Sequence, residues 1–149
     1  MLVKFSKVSD GSMLNRGNFS DSEVRANRER FLASNALDID QTALVTILYN
    51  DEVSYTHYEE VNPQQLGKTI RGDLEVPQVA DALITTDPKV TIFLALADCV
   101  GTVLYSPREQ VLMVSHLGRH SLEQNGGLLS VQKLISDYGV DPAELQVWL

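Results

Sequence analysis

Hydrophobic residues in this chain alternate with polar ones over short segments, a pattern that is typical of β-strands. Three segments are rich in β-branched and apolar residues and follow one another closely, at residues 90–97, 100–105 and 110–116. The turn-forming residues 106–109 separate the last two segments, which predicts a hairpin between them. Weaker strand patterns occupy residues 2–8, 42–49, 52–58, 79–86 and 144–149.

Two segments have the spacing of helices and flank the strong strands. Residues 20–37 begin with Ser20 as an N-cap, and Glu23 three residues later completes a capping box. Residues 128–138 place apolar side chains at helical intervals, and Gly139 ends that helix. Because hairpins dominate and helices stand on either side, the chain is predicted to be α+β, with mixed, largely antiparallel sheets and flanking helices.

The length, net charge and cysteine count of the chain restrict the class of protein. A chain of 149 residues is long enough for one domain with a hydrophobic core. Its net charge of −8 disfavours nucleic-acid binding, which calls for a basic surface. No apolar run reaches the roughly 18 residues of a membrane helix, so no membrane span is expected. A single cysteine cannot form an internal disulfide, and the cytoplasm is the expected location.

The candidate chemistry lies where the strong strands end. Cys99 begins one strand of the predicted hairpin and His116 closes the other, so both are expected at the same open end. A thiolate and an imidazole so placed can bind zinc, or can act as a nucleophile and its base. Asp98 would orient His116 or act as a general base. His120 is a further candidate ligand, whereas His57 is expected in solvent.

Each of these residues also has a purely structural interpretation. A lone cysteine is most often a packing residue, and a carboxylate beside a core strand can serve only to cap backbone N–H groups. A structural role for His116 is as plausible as metal binding. Three histidines are too few for a multicopper oxidase site.

The segment from residue 80 to residue 118 resembles the YfiH family. Members are also called laccase-domain proteins, multicopper polyphenol oxidase-like proteins or peptidoglycan editing factors. The family reads A-D-(G/A)-(L/V)-(V/I)-T, then A-D-C, then H-A-G-W-R-G, and the matches here are residues 80–85, residues 97–99, His116 and Gly118. Residues 12–31 are similar to the family's S-L-N-L-G loop and E-N-R helix, and residues 142–149 to a later segment.

The resemblance implies a fold of α/β/β/α layers and a single zinc ion. The family holds zinc through the histidine of a Q-V-H-G motif, the cysteine of A-D-C and the histidine of H-A-G-W-R-G, which implies Cys99 and His116 here. It further implies purine nucleoside phosphorolysis (a transferase reaction) or adenosine deamination (a hydrolase reaction), with nucleoside and phosphate as partners. Phosphorolysis needs an anion site, for which Arg119 or Arg28 could serve.

The chain also departs from the family pattern. Tyr49 stands at the position of the first zinc histidine, which leaves His120 or His57 as a substitute third ligand. We expect one YfiH-like domain over residues 1–149 that lacks the family's C-terminal third. Three hypotheses remain: a zinc-dependent nucleoside enzyme that has lost part of its site, a non-catalytic binding or assembly module that pairs with its own copy, and a hydrolase that uses Cys99 and His116 directly.

Overall fold

Two β-sheets packed face to face, with helices on both outer sides, form the body of the protein. The computed structural model describes residues 1–14, 22–47, 57–72 and 78–149. The helices are α1 (Ser22–Ser34), α2 (Lys68–Arg71), α3 (Arg119–Glu123) and α4 (Gly126–Tyr138). The strands are β1 (Thr42–Leu44), β2 (Tyr58–Glu60), β3 (Ala82–Thr85), β4 (Thr91–Phe93), β5 (Val100–Ser106), β6 (Val111–Leu117) and β7 (Gln146–Trp148).

The larger sheet has five strands in the order β2-β3-β6-β5-β7. Strands β5 and β6 form the predicted hairpin, which runs in register from Ser106↔Val111 at the turn to Val100↔Leu117 at the open end. Strand β6 also pairs antiparallel with β3, and β5 with β7, whereas β2 and β3 are parallel. The α+β class with mixed, largely antiparallel sheets is therefore confirmed.

The smaller sheet consists of β1 and β4, which pair in parallel. One apolar cluster fills the space between the two sheets and is formed by Ala43, Val45, Ala80 and Leu83. A second cluster joins the large sheet to α4, and a third joins the small sheet to α1 and α2. The layers thus follow the order α, β, β, α, and each layer buries the apolar side of its neighbour.

Some predicted elements differ from those observed. Residues 2–8 form no strand, and a 3₁₀ turn at Val8–Asp10 follows this segment. The strand predicted over residues 90–97 ends at Phe93, because β4 and β5 belong to different sheets and the residues between them cross from one sheet to the other. The Ser20 cap, the last residues of the 42–49 strand and most of the 52–58 strand lie outside the described residues.

A buried polar network connects α4 to the large sheet. The Tyr58 hydroxyl and the Ser130 hydroxyl both donate to the carbonyl of Gly126, at 2.9 and 2.8 Å. The Ser115 hydroxyl on β6 lies 3.0 Å from that of Ser130. Each hydroxyl is thereby satisfied without water, which aligns the first turns of α4 with the sheet. None of the helices in the described part of the chain combines the length and apolar character needed to cross a bilayer.

We predict that Gly126→Ala destabilises the junction between α3 and α4. A Cβ at position 126 would lie 1.9 Å from the Ser121 hydroxyl oxygen and 2.8 Å from the Ser121 carbonyl oxygen, so the backbone must shift. The expected loss in free energy of unfolding is about 1–3 kcal/mol, measured by urea denaturation. The control is Gly127→Ala in the same helix, where the nearest atom would be 3.7 Å away. That variant should be unchanged or more stable, since alanine favours helix. Equal effects of the two substitutions would contradict the prediction.

Candidate functional site

The open end of the β5–β6 hairpin brings Cys99 and His116 together. Gly101 pairs with His116, and continuing that register places Cys99 opposite Gly118. A methyl group on Gly118 would lie 3.4 Å from Sγ of Cys99, 3.4 Å from Nε2 of His116 and 2.7 Å from Cε1 of His116. Because Sγ of Cys99 and Nε2 of His116 lie at the same distance from one point, they are at most twice 3.4 Å apart. A side chain at position 118 would therefore push the His116 imidazole out of its present place.

The protonation states of Cys99 and His116 differ from those of a catalytic pair in which a histidine activates the thiol. His116 is 4% exposed, and burial lowers the pKa of its imidazole, which favours the neutral ring. Desolvation raises the pKa of the Cys99 thiol, and the neighbouring charge and hydrogen bond of Asp98 raise it further. At neutral pH the pair is thus a thiol and a neutral imidazole rather than a thiolate and an imidazolium. A neutral imidazole suits metal ligation, whereas the unactivated thiol does not favour the hydrolase hypothesis.

Asp98 and His120 occupy the outer part of this region. Asp98 is exposed, and Sγ of Cys99 donates to its Oδ1 over 3.8 Å. His120 is an exposed residue of α3. Among the residues that the structure describes, no group of three His, Cys, Asp or Glu side chains is arranged to hold a metal. Cys99 and His116 therefore offer two donors of the type zinc prefers, and His120 does not complete a set of three.

The buried carboxylate of this region is Asp81, to which the sequence analysis assigned no role. Asp81 is 4% exposed and precedes β3. Its backbone lies between two histidines: the N–H of His116 donates to the Asp81 carbonyl at 2.8 Å, and the N–H of Asp81 donates to the His57 carbonyl at 2.8 Å. No described residue donates to its Oδ2. The sequence does contain a signal that points to Asp81: it is an acidic residue between two alanines, at the start of an apolar strand.

Burial raises the pKa of the Asp81 carboxyl, and a hydrogen bond from the His57 backbone and the charge of His57 offset part of that rise. His57 itself is exposed, as expected, and its Nε2 lies 2.5 Å from Oε1 of Glu59. The backbones of His57, Asp81 and His116 are therefore aligned across the ends of three neighbouring strands, β2, β3 and β6, and the buried Asp81 and His116 belong to the two inner strands of this row.

An open groove with a volume of about 1200 Å³ runs along the inner face of β5 and β6 from Gly101 towards the hairpin turn, and neither Cys99 nor His116 lines it. Its walls come from the N-terminal segment, α1, the residues around β4 and the inner face of β5 and β6, and they include Phe5, Phe31, Phe93, Leu96 and Tyr105. Leu94 and Leu96 reach over Gly101, where a Cβ would come within 3.1 and 2.7 Å of their methyl groups. The groove is thus apolar, and large enough for a ligand of nucleoside size.

Comparison with known proteins yields consistent matches. A family model described as multi-copper polyphenol oxidoreductase laccase matches residues 9–149. The chain is similar to the purine nucleoside phosphorylase YlmD of Bacillus subtilis (strain 168), with 25% identity over 125 residues that cover 84% of this chain and 43% of that protein.

Two solved structures share the fold. The hypothetical protein YfiH of Bacillus licheniformis matches with a TM-score of 0.71 and 19% identity, over 84% of this chain and 45% of its own. YlmD from Geobacillus stearothermophilus matches with a TM-score of 0.72 and 19% identity, over 85% and 45%. At this identity the likeness concerns the fold alone. The chain spans less than half the length of these relatives.

We predict that Asp98→Asn speeds alkylation of Cys99. Removing the charge of Asp98 lowers the pKa of the thiol, so more thiolate is present at neutral pH. The rate of iodoacetamide modification, followed by mass spectrometry, should rise on the order of two-fold or more. Asp141→Asn, which changes an exposed carboxylate between α4 and β7, is the control and should leave the rate unchanged. An equal or slower rate in Asp98→Asn would count against the assigned role of its charge.

We also predict a pH-dependent gain in stability from Asp81→Asn. Since the folded-state pKa of Asp81 lies above 3.8, protonation stabilises the fold fully below pH 3.8, and this contribution is lost as the pH rises through the folded-state value. Asparagine stays neutral, so the melting temperature of the variant relative to the unmodified protein should increase across that window. Asp87→Asn, an exposed residue, should show no such trend. A difference that is constant with pH would contradict the assignment.

Proposed function

The chain belongs to the multi-copper polyphenol oxidoreductase laccase family, and on this basis we propose that it acts on purine nucleosides, with Cys99 and His116 as two ligands of a zinc ion. The observation that carries the proposal is the approach of Sγ of Cys99 and Nε2 of His116 to within 3.4 Å of one point above Gly118. The named activity of the similar Bacillus subtilis protein supports phosphorolysis as the reaction, with nucleoside and phosphate as substrates. Adenosine deamination is the second reaction that the resemblance implies.

Cys99 and His116 are donors of the type that zinc prefers, but they are fewer than a catalytic zinc site uses. Sulfur and imidazole nitrogen are preferred zinc donors, whereas a catalytic site uses three protein ligands. Tyr49, which stands at the position of the family's first histidine, lies outside the described residues, and a phenol is a poorer zinc donor than an imidazole. We therefore expect zinc to bind, but more weakly than in a site with two histidines and a cysteine.

The residues of this chain have distinct tasks in the proposed site. The buried His116 would bind through Nε2, and burial lowers the pKa of its imidazole, which favours the neutral ring with one nitrogen free to act as a ligand. Cys99 must lose its proton on binding, so zinc affinity should rise with pH. Asp98 accepts the hydrogen bond of the thiol at the rim and is the candidate general base. A zinc ion in this position would supply a Lewis acid for water or for a phosphate oxygen.

The groove beside Gly101 is the proposed place for the nucleoside. Its apolar and aromatic walls suit a purine ring, and it reaches Gly101, the residue that pairs with His116, although neither Cys99 nor His116 lines it. The proposal also needs Cys99 as a free thiol, which favours a reducing compartment such as the cytoplasm.

The test combines metal content with turnover. Zinc bound by the purified chain, measured by equilibrium dialysis against buffer that contains zinc, should approach one ion per chain, and Cys99→Ala or His116→Ala should remove it. Inosine or adenosine with phosphate should release free base in the parent protein and not in these two variants. His57→Ala, at an exposed histidine, is the matched control and should keep both zinc and turnover. Zinc or turnover that survives both substitutions, or is missing from the parent protein, would refute the proposal.

A second candidate function is a non-catalytic assembly module. The lack of a three-ligand group in the described parts of the chain favours it. In that case the chain should bind no zinc and form a homodimer whose population increases with protein concentration, as measured by light scattering during size-exclusion chromatography.

A further inference from the structure

The small sheet has a strand edge that no other strand in the described part of the chain pairs with. Strand β4 pairs with β1 along one edge only. The N–H of Val45 donates to the carbonyl of Phe93 at 2.9 Å, so Phe93 directs its peptide groups towards β1. Successive residues of a strand direct these groups to opposite sides, which places the N–H and C=O of Ile92 on the other edge. Such an edge is a template for a further strand.

The open groove lies where a third strand of the small sheet would run. Besides β4 itself, its walls include Val103 and Tyr105 of the large sheet and Val24 and Phe31 of α1. These are the two layers between which β4 already packs. An extended chain in the groove would pair with the edge of β4, and its alternating side chains would fill both sides. We call this position the third-strand slot.

The protein contains a segment of matching character, its N-terminal arm (residues 1–8). The arm has a strand-like sequence but forms no strand, and its Leu2 and Phe5 side chains are 59% and 67% exposed. In an extended conformation Val3 and Phe5 would lie on one face of the arm, and Leu2 and Lys4 on the other. Burying these apolar side chains in the slot would be favourable, because they would leave water.

The charges of the arm and the groove are complementary. The arm carries Lys4 and Lys7 and no acidic residue, in a chain whose net charge is −8. Outside the arm, the ionisable residues that line the groove are three carboxylates and one lysine, namely Glu23, Asp38, Asp87 and Lys89. A basic arm therefore suits an acidic groove, which favours this segment over the other apolar segments of the chain.

Hydrogen bonds hold the chain next to the arm against α1. Nδ2 of Asn27 donates to the carbonyl of Ser12 at 2.9 Å, and Nε of Arg28 donates to the carbonyl of Met13 at 2.8 Å. Residues 1–6 consequently form a wall of their own groove and do not occupy its slot. Gly11 precedes the two bonds and has a φ of 82°, which favours glycine, so the chain can change direction there. Exchange of an identical segment between two copies is a low-cost route to a dimer.

We propose that the protein dimerises by exchanging its N-terminal arms, with the arm of each copy entering the third-strand slot of the other as a strand on β4. The proposal gives the assembly-module candidate a defined interface, and the interface itself needs neither zinc nor turnover. An arm in the slot would exclude a nucleoside from that part of the groove.

The first test measures the dimer by light scattering during size-exclusion chromatography over a range of protein concentrations. Phe5→Glu should raise the dissociation constant of the dimer at least about ten-fold, because it removes the aromatic anchor of the arm. The matched control is Leu128→Glu on α4, where the side chain is 59% exposed, and it should leave the dimer unchanged. Cys99→Ala should also dimerise like the parent protein, so a failure of the zinc proposal leaves this one intact.

The second test mixes two variants. Val103→Arg places a bulky cation in the slot and should weaken the dimer as Phe5→Glu does, because the cation repels a basic arm. In an equimolar mixture, the intact arm of Val103→Arg can enter the intact slot of Phe5→Glu. The mixture should therefore form a heterodimer at concentrations where each variant alone is a monomer. A mixture that stays monomeric would overturn the exchange.

A peptide of residues 1–8 tests the slot without any change to it. The labelled peptide should bind to Phe5→Glu, measured by fluorescence anisotropy. N-methylation of peptide residues 2, 4 and 6 or of residues 3, 5 and 7 should block binding for only one of the two sets, since a strand presents them on opposite edges. No binding, or equal effects of the two sets, would overturn the proposal, as would a parent protein that stays monomeric. A dimer that Phe5→Glu leaves intact would retain the assembly module but refute this interface.

Discussion

The pairing of β5 with β6 is the constraint on which the rest of the site depends. Its register fixes Gly101 opposite His116 and Val100 opposite Leu117. Since side chains alternate between the faces of a sheet, a slip of one residue would send His116 to the α4 side and separate it from Cys99. The same register leaves position 118 beside the imidazole, where a larger residue would force the His116 ring to shift. One set of backbone hydrogen bonds therefore decides both the meeting of the two donors and the residue tolerated next to them.

The layered packing gives the two faces of this sheet different chemistry. On the outer face, Ser115, Ser130 and Tyr58 satisfy one another and the carbonyl of Gly126, which is a structural arrangement. Two buried oxygens near the open end of the hairpin have no hydrogen-bond partner among the described residues, namely Oδ2 of Asp81 and Oγ1 of Thr102. Buried polar atoms without partners are uncommon in folded proteins, and they concentrate where ligands or catalysis require them.

Membership of the family and the chemistry of this chain are separate matters. The fold agrees with the resemblance and Cys99, His116 and Gly118 match its motifs, whereas Tyr49 stands where the resemblance implies a histidine ligand. Two donors form a weaker site than three, because each missing ligand removes binding free energy and leaves the geometry less constrained. The copper chemistry in the family's name requires more histidines than the three present in this chain.

The sequence by itself determined the strand-rich α+β class, the hairpin turn at residues 106–109 and the shared end of Cys99 and His116. These follow from local signals, namely alternation, turn residues and the counting of positions along a hairpin. Only the tertiary structure decided that Asp98 is exposed while Asp81 is buried, and that the strand begun at residue 91 ends at Phe93. It also decided that Arg28 is enclosed without an acidic neighbour among the described residues. Burial and ion pairing depend on which layers meet, and no local pattern in the chain records the contacts between distant segments.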